Sequence, residues 1–566
     1  MPRMLLRSLL ALAVVSGALI HVATAQRSPF VPVTDAVLRR PSPGDWLRWR
    51  RDHGATGYSP LDQINRRSVQ QLRLVWAWPM SAGTQEQEPL VYNGIMYLLH
   101  PDATLQALDA RTGDAIWEYR RKMPEDVGAG DTVRNIAIYQ DRIFLTTQDA
   151  HLAALDVATG KVAWDITMAN YKERVNYSAG PIAADGKVFA SATCGVGTPR
   201  PCFVSAHDVR TGKELWRRES VAGPRDPAEH QATWRGVPYE RRRKASLWMT
   251  GSYDPDLQSL FWTTGSAYPY PELHKGTGDG ALLYTNSILA LDANTGAIKW
   301  FFQMQPRDNF DMDHQDNPIL ADVADGGTTR KMVFVLGKPG VLWAFDRQTG
   351  QHVWHRQLVA EQNLYKHIDA RTGAITMNEE IIPKTVGTSQ LVCPGMRGGK
   401  LIQTHAFSPR TNTVYSPVSN ACSTFDIVPL DVEPSGVRYR VAPMDAAGGK
   451  VGRLTAVSAR TGEVRWTYDQ RAAMGSVLAT AGGLVFAGDL HRNFRAFDDE
   501  TGTVLWDVPL SGPVTGYPIS YAVDGKQYVA IGVGSGTAGQ RDLARLYPEL
   551  KTPAGNNILM VFALGE

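Results

Sequence analysis

The sequence predicts an all-β protein, an eight-bladed β-propeller in which tryptophans dock on the repeated turns. Three observations lead to this prediction: a recurring turn motif, alternating apolar residues around it, and matching segments near the two ends. The motif reads Ala-x-Asp/Ser-x-x-Thr-Gly-x-x-x-Trp, as in LQALDARTGDAIW, which ends at Trp117. Self-similarity at this scale indicates a repeat architecture. Six further copies end at Trp164, Trp216, Trp300, Trp354, Trp466 and Trp506.

Each copy predicts two strands joined by a tight turn. Alternating apolar and polar residues are typical of half-buried strands. In Asp-x-x-Thr-Gly the carboxylate accepts backbone N–H groups, and glycine tolerates a positive φ. The tryptophan that follows can cover the turn and bury a large flat side chain between neighbouring sheets. Four-stranded units of this kind, arranged radially, form a propeller.

An eighth unit is divided between the two ends of the chain. The segment NNILMVFALG near the C-terminus has the pattern that precedes the turn, and LRLVWAW has the pattern that follows it, with Trp76 in the repeat position. Pairing these segments would close the ring and leave no edge strand. The long intervals from Trp216 to Trp300 and from Trp354 to Trp466 indicate insertions, which usually build the functional site on one face of a propeller.

Residues 1–25 are predicted to be a secretory signal peptide, and residues 26–566 a single propeller domain. Arg3 and Arg7 precede the apolar run LLALAVVSGALI, and Ala-Thr-Ala at 23–25 provides small residues for cleavage. A retained signal anchor is the alternative, although the apolar run is short for a membrane-spanning helix.

The charge balance argues against a nucleic-acid partner. Removing Arg3 and Arg7 lowers the formal net charge from +3 to +1, whereas nucleic-acid-binding domains are usually strongly basic. One dense basic run extends from Arg241 to Lys244. We expect it to be a solvated loop, with a docking patch for an acidic electron carrier as the alternative.

The chain has four cysteines, and an even number in an exported protein predicts disulfides. Pairing Cys194 with Cys202 would close a short loop and leave Cys393 with Cys422, but four cysteines allow three connectivities. No Cys-x-x-Cys-His motif is present, so the sequence carries no site for covalently attached haem c.

The mature chain resembles the quinoprotein dehydrogenases, which use pyrroloquinoline quinone (PQQ) to oxidise alcohols and sugars. The resemblance runs from GYSPLDQINRRSVQQLRLVWAW to GYPISYAVDGKQYVAIGVGSG. The segments GPIAADGKVFASATCGVGTPRPCFVSAHDVRTGKELW and QPRDNFDMD are most similar to the L-sorbose/sorbosone dehydrogenase branch.

The resemblance implies the roles of three central residues. Trp248, six residues before Asp254, matches the aromatic floor beneath the planar quinone. Asp311 matches the catalytic base that takes the substrate's hydroxyl proton. Lys338 matches the cation that binds the quinone oxygens and stabilises charge on reduction. The structural alternatives are a core tryptophan and a turn aspartate that caps the backbone.

Further residues match the positions that surround the cofactor in the family. Arg134, Ser178 and Thr193 match groups that hold its carboxylates and ring oxygens, and Glu86 matches an acidic residue at its edge. For Glu86 and Arg134 the alternative is ordinary surface charge.

The sequence departs from the family pattern at the lid and at the metal site. Gly128-Ala129 stand where many alcohol-oxidising members have adjacent cysteines, so the resemblance implies a smaller lid and room for bulkier substrates. Val196 and Ser266 replace a glutamate and an asparagine ligand, and neither is a good ligand for a hard cation. Asp313 adds a carboxylate, so we expect Ca²⁺, or a lanthanide, at Asp311, Asp313 and Ser266.

The predicted function is a periplasmic PQQ-dependent dehydrogenase that oxidises a polyol, a sugar or a secondary alcohol to the carbonyl. Its electrons would leave through a separate cytochrome c or a membrane quinone. The alternatives are a primary-alcohol quinoprotein dehydrogenase and a non-catalytic propeller scaffold of the periplasm.

Overall fold

A computed structural model describes residues 30–127, 133–553 and 557–565. The chain from Pro32 onwards forms one compact unit. The predicted signal peptide, residues 1–25, and Gly128-Ala129 lie outside the described residues. None of the helices in the described ranges is long and apolar enough to cross a membrane.

The described residues contain eight sheets that are built on the same plan of four antiparallel strands. We number them I to VIII in chain order. Sheet I comprises Leu72–Pro79, Ile519–Val523, Lys526–Val533 and Ile558–Leu564; sheet II Leu90–Tyr92, Ile95–Leu99, Leu105–Asp109 and Ala115–Tyr119; sheet III Ala137–Tyr139, Arg142–Thr146, His151–Asp156 and Val162–Thr167; and sheet IV Ile182–Ala184, Lys187–Ser191, Phe203–Asp208 and Glu214–Glu219.

The second half of the chain continues the series. Sheet V comprises Ser252–Asp254, Ser259–Thr263, Ser287–Asp292 and Ile298–Gln303; sheet VI Ile319–Asp325, Thr328–Leu336, Val341–Asp346 and His352–Gln357; sheet VII Ala406–Ser408, Thr413–Ser419, Gly452–Ser458 and Val464–Gln470; and sheet VIII Met474–Thr480, Leu484–Asp489, Asn493–Asp498 and Val504–Pro509. Tyr58–Ser59 adds a parallel fifth strand to sheet VIII.

The remaining elements are short and connect or cover these sheets. Val175–Asn176 pairs with Thr193–Cys194, Tyr365–Ile368 pairs with Ile375–Met377, and Ser389–Val392, Ala421–Ile427 and Val437–Pro443 form a three-stranded sheet. The α-helices are Asp35–Arg39, Ala228–Ala232, Glu272–Lys275 and Ala538–Ala544, and the 3-10 helices are Val69–Gln71, Tyr171–Glu173, Tyr239–Arg241, Glu379–Ile381 and Asp445–Ala447.

Each repeat tryptophan from sheet I to sheet VII packs on the turn glycine of the next sheet. The indole Nε1 of Trp300 donates to the carbonyl of Arg347 at 3.2 Å. A Cβ on Gly350, whose φ is +74°, would lie 2.5 Å from Cε3 of Trp300, so this contact requires glycine. The equivalent pairs are Trp76 with Gly113, Trp117 with Gly160, Trp164 with Gly212, Trp216 with Gly296, Trp354 with Gly462 and Trp466 with Gly502.

Sheet I joins the two ends of the chain, as the matching end segments predict. Leu72–Pro79 pairs antiparallel with Ile558–Leu564, and Trp76 lies opposite Val561. The ring of Trp506 in sheet VIII lies 5.6 Å from the ring of Phe562 in sheet I. These contacts connect the last sheet back to the first, in agreement with the predicted all-β propeller.

The predicted insertions and disulfides are both present. The three-stranded sheet falls in the interval between Trp354 and Trp466, and its Phe425 ring lies 4.9 Å from the ring of Phe310. The insertion therefore packs against the segment that carries the candidate catalytic aspartate. The bonds Cys194–Cys202 and Cys393–Cys422 confirm one of the three possible pairings.

Candidate functional site

Two aspartates and two lysines form a buried ionic cluster beside sheets V and VI. Asp311 precedes sheet VI, and Lys338 lies in its second hairpin. The Nζ of Lys338 donates to the Asp311 carbonyl at 2.6 Å, to Asp311 Oδ2 at 3.0 Å and to Asp313 Oδ2 at 3.2 Å. The Nζ of Lys244 donates to Asp311 Oδ1 at 2.9 Å. The carboxylate of Asp311 therefore contacts two ammonium groups.

Asp313 connects this cluster to the aromatic residue of the predicted floor. Its Oδ2 accepts from the indole Nε1 of Trp248 at 3.1 Å, and its Oδ1 accepts from the backbone N–H of Ser266 at 2.8 Å. Burial by itself raises the pKa of Asp313, but Lys338, Lys244 and these N–H donors outweigh burial, so its pKa lies below the usual value. Asp313 is therefore an anion that fixes the edge of the indole.

A second group of polar residues lies around the backbone carbonyl of Trp248. The guanidinium of Arg134 lies 5.4 Å from the Trp248 ring centroid and donates to the Trp248 carbonyl at 2.8 Å and to Glu86 at 2.8 Å. The hydroxyls of Ser178 and Thr193 lie 2.8 Å apart, and Ser178 Oγ also donates to the Trp248 carbonyl at 3.3 Å. The structure thus brings together the residues that the resemblance implies.

Glu86 and Arg134 are not surface charges. Glu86 is 0% exposed and Arg134 is 2% exposed, so the alternative interpretation of these two residues is wrong. A buried charged pair of this kind persists only with good partners, because its desolvation is expensive. The burial of Glu86 and Arg134 beside Trp248 indicates that the pair either stabilises the fold or binds a ligand.

The loop that follows Ser389–Val392, the first strand of the three-stranded sheet, packs against the backbone of Lys338. Gly399 has a φ of +58°, and a Cβ at this position would collide with the Lys338 carbonyl. Only glycine allows so close an approach. The backbone of the insertion therefore packs directly on the residue that holds Asp311.

The basic run from Arg241 to Lys244 is not simply a solvated loop. Arg241 and Arg243 are exposed, but Arg242 and Lys244 are buried, and Lys244 points to Asp311. Burial by itself lowers the pKa of Lys244, whereas Asp311, Tyr270 and Asp313 raise it well above the usual value. Sequence reasoning missed this residue.

Two more polar residues were missed. The hydroxyl of Tyr270 accepts from Lys244 Nζ at 2.9 Å, and its ring centroid lies 4.7 Å from the same nitrogen. Asn176 pairs with Thr193 across a two-stranded ladder, and within the described residues its buried Oδ1 has no hydrogen-bond partner. Neither residue belongs to a recognisable motif.

Comparison with known proteins places this chain in a family. The family model for PQQ proteins, described as "Glucose/ethanol/alcohol dehydrogenase, beta-propeller domain", matches residues 46–366 and 470–529. Quinoprotein alcohol dehydrogenase PedH of Pseudomonas putida is 30% identical over 85% of this chain and 84% of its own length. Lupanine 17-hydroxylase [cytochrome c] of a Pseudomonas species is 30% identical over 92% of this chain and 77% of its own length.

The solved structures agree with the sequence matches. A europium-containing methanol dehydrogenase superposes with a TM-score of 0.86 at 27% identity, covering 94% of this chain and 100% of the other. These similarities do not single out the L-sorbose/sorbosone branch, which stays a prediction. The matched family model and relatives show that this chain belongs to the PQQ-dependent alcohol dehydrogenase family, the oxidoreductases that act on CH–OH groups.

Proposed function

We propose that the cluster around Trp248 and Asp311 is the active site of a PQQ-dependent dehydrogenase that oxidises a polyol, a sugar or a secondary alcohol to the carbonyl. One observation carries this proposal. The indole of Trp248, the carboxylate of Asp311 and the ammonium of Lys338 meet at one place, linked through Asp313. An aromatic surface, a base and a cation are the groups that quinone-dependent alcohol oxidation requires.

The residues present fit PQQ, a planar quinone with three carboxylates. The ring of Trp248 is partly exposed although its neighbours Leu247 and Met249 are fully buried, so it offers a flat surface to a ligand. Arg134 supplies a cation at that surface. Within the described residues, the buried Oδ1 of Asn176, which pairs with Thr193 in a short ladder, has no hydrogen-bond partner and so provides an acceptor for a ligand donor. We infer that Glu86, Arg134, Ser178, Thr193, Trp248 and Lys338 hold the cofactor.

The chain's own residues would move the proton and stabilise charge. When bound, PQQ supplies the quinone that accepts two electrons from the substrate's C–H bond. Asp311 would accept the hydroxyl proton as the general base. Lys338, which contacts both aspartates, would keep positive charge where the reacting oxygen atoms become more negative.

The substrate class rests on the resemblance to the sorbose branch and on the absence of the cysteine pair at Gly128-Ala129. A primary alcohol is the competing substrate, because one of the solved structures similar to this chain is a methanol dehydrogenase. Initial rates on methanol, ethanol, 2-butanol, sorbitol and L-sorbose, with an artificial electron acceptor, distinguish the two. A higher kcat/KM for methanol or ethanol than for every polyol, sugar and secondary alcohol would contradict the proposed class.

We propose that the electron acceptor is a separate cytochrome c or a quinone. All cysteines in the described residues form disulfides, and the sequence has no Cys-x-x-Cys-His motif. The name of the related lupanine 17-hydroxylase specifies cytochrome c, which favours the first acceptor. The two disulfides favour an oxidising compartment such as the periplasm, because disulfides persist there.

A calcium or lanthanide ion is the other group that the resemblance implies, but the residues present do not fit it. Calcium takes about six to eight oxygen ligands. Here each of the four carboxylate oxygens of Asp311 and Asp313 already accepts a hydrogen bond, from Lys244, Lys338, Trp248 or the Ser266 N–H. The Ser266 hydroxyl donates to Asp308 instead of facing the two aspartates. The proposed proton transfer to Asp311 therefore does not involve a metal ion.

The first test of the proposed function is cofactor binding. PQQ added to the purified chain should quench tryptophan fluorescence with saturation at one equivalent, and the complex should reduce an artificial electron acceptor in the presence of an alcohol. Failure of PQQ to bind, with or without added metal, would refute the proposal.

A further inference from the structure

Lys244, whose side chain lies in the ionic cluster, stands in a stretch of backbone with an unusual conformation. Lys244 and Ala245 have φ angles of +67° and +50°, a region that residues with a Cβ seldom adopt. The Lys244 carbonyl accepts from the N–H of Cys202 at 2.9 Å, and the Ala245 N–H donates to the Ser266 carbonyl at 3.0 Å. Backbone of this kind persists only where the surroundings hold it firmly.

The Lys244 ammonium has a defined place and defined partners. Its Nζ lies 2.9 Å from Asp311 Oδ1 and 2.9 Å from the hydroxyl of Tyr270, and the side chain is only 8% exposed. The loop that carries it is attached to the Cys194–Cys202 disulfide through the Cys202 backbone. An exposed lysine that forms a chance ion pair with a carboxylate would have neither the second partner, Tyr270, nor the hydrogen-bonded backbone that holds Lys244.

The charges of the cluster balance without a metal ion. Lys244 and Lys338 supply two positive charges, and Asp311 and Asp313 supply two negative charges, all within ion-pair distance. In the PQQ-free chain, a divalent or trivalent cation would leave net positive charge in a buried place, which is costly. It would also have to share every oxygen of the two carboxylates with an N–H donor that already contacts it.

We infer that the Lys244 ammonium takes the place of the metal ion, orienting Asp311 and neutralising it, so that the enzyme binds PQQ and turns over without Ca²⁺ or a lanthanide at the two aspartates. This inference rests on the proposed function. Lys244 is a positioning residue, because it acts through Asp311.

The first experiment needs no substitution. The PQQ-loaded protein is dialysed against EDTA and its metal content is measured by mass spectrometry. We expect well under one equivalent of calcium or lanthanide per chain, and a PQQ titration that is the same with EDTA, Ca²⁺ or La³⁺. One tightly held equivalent, or PQQ binding that requires added metal, would overturn the inference.

The second experiment separates an ionic role from a structural one. Lys244→Met should lower kcat by about 10²-fold, the scale of a misplaced catalytic group, whereas the exposed neighbour Arg243→Met should leave kcat unchanged. In Lys244→Ala, added butylammonium should restore part of the activity, which a purely structural defect would not allow. Full activity in Lys244→Met, or no response of Lys244→Ala to the amine, would contradict the inference.

The metal inference can be tested even if PQQ does not bind. Terbium is titrated into the PQQ-free chain, and luminescence sensitised by Trp248, whose indole contacts Asp313, is recorded. We expect no saturable signal below millimolar terbium. Saturation at one equivalent in the micromolar range would show a metal site at the aspartates and overturn the inference, whereas failure of PQQ binding alone would refute only the proposed function.

Discussion

At the scale of single residues, the carboxylate of Asp311 is the group on which the proposed chemistry depends. Asp311→Asn keeps the shape of the side chain but removes the base, so kcat should fall by about 10²-fold or more. The PQQ titration should change little, since the proposed floor and cofactor ligands remain. Asp524→Asn, on an exposed hairpin, is the control. A kcat within a few-fold of the parent would reject Asp311 as the base.

The indole of Trp248 should contribute directly to cofactor affinity. Trp248→Ala removes the flat surface beside Arg134 and should weaken PQQ binding by about 1 kcal/mol or more. Trp248→Phe keeps an aromatic ring but loses the N–H that donates to Asp313, so its affinity should be intermediate. Equal PQQ affinity in the parent and Trp248→Ala, measured by equilibrium dialysis, would show that the floor lies elsewhere.

Sequence reasoning singled out Trp248 and Asp311 because each stands in a short motif that resembles the family's motif. It missed Lys244 because its partner Asp311 is 67 residues away and the lysine ends a run of arginines that includes the exposed Arg241 and Arg243. Nothing local distinguishes this lysine from the rest of a basic loop. Asn176 was missed for the same reason, because its unpartnered oxygen becomes visible only in the folded chain.

At the scale of elements, the unit is a turn glycine covered by the tryptophan of the preceding sheet. Gly350→Ala combines a positive φ with a Cβ placed 2.5 Å from Trp300. The strained backbone should lower the free energy of unfolding by about 1–2 kcal/mol, and overpacking against Trp300 should lower it by about 1–3 kcal/mol more. Gly326→Ala, in the same sheet, has a φ of +57° and no atom within 4 Å of its Cβ. It isolates the backbone cost.

The comparison is made by denaturant unfolding of both variants. Gly350→Ala should lose clearly more stability than Gly326→Ala, and the difference measures the contact with Trp300. Equal losses of unfolding free energy in the two variants would mean that Trp300 can move away from the added Cβ at no cost. The tryptophan would then not fix the spacing of neighbouring sheets.

Local chemistry explains why these turns were predictable, whereas for the insertions only the position in the sequence, and not the structure, was predictable. In Asp-x-x-Thr-Gly the hydrogen bonds that form the turn are close in sequence, as when Asp346 Oδ1 accepts from the N–H of Thr349 at 3.0 Å. The sheet of Ser389–Val392, Ala421–Ile427 and Val437–Pro443 has no repeated turn, and its first strand joins the second 29 residues after Val392. Its position over Phe310 depends on long-range packing.

At the scale of the whole molecule, sheet I makes the series of sheets continuous. In an open repeat array, stability is close to a sum over neighbouring units, and parts can unfold separately. Here the N-terminal strand Leu72–Pro79 completes a sheet whose other strands come from the C-terminal end. Every sheet therefore has a neighbour on both sides. A substitution that destabilises sheet I should consequently destabilise the other sheets as well.

Val561→Asp tests this coupling. Val561 is fully buried opposite Trp76, so a carboxylate there should cost several kcal/mol and lower the melting temperature of the whole chain. Leu74→Asp is the control, because the side chain of Leu74 on the partner strand is 51% exposed. It should change the free energy of unfolding by less than about 0.5 kcal/mol. Far-UV circular dichroism and PQQ binding should disappear together in Val561→Asp, because Glu86 and Arg134 follow sheet I and sheet II in the same continuous ring. A separate low-temperature transition that leaves PQQ binding intact would instead show that sheet I unfolds alone and that closure contributes little to the site.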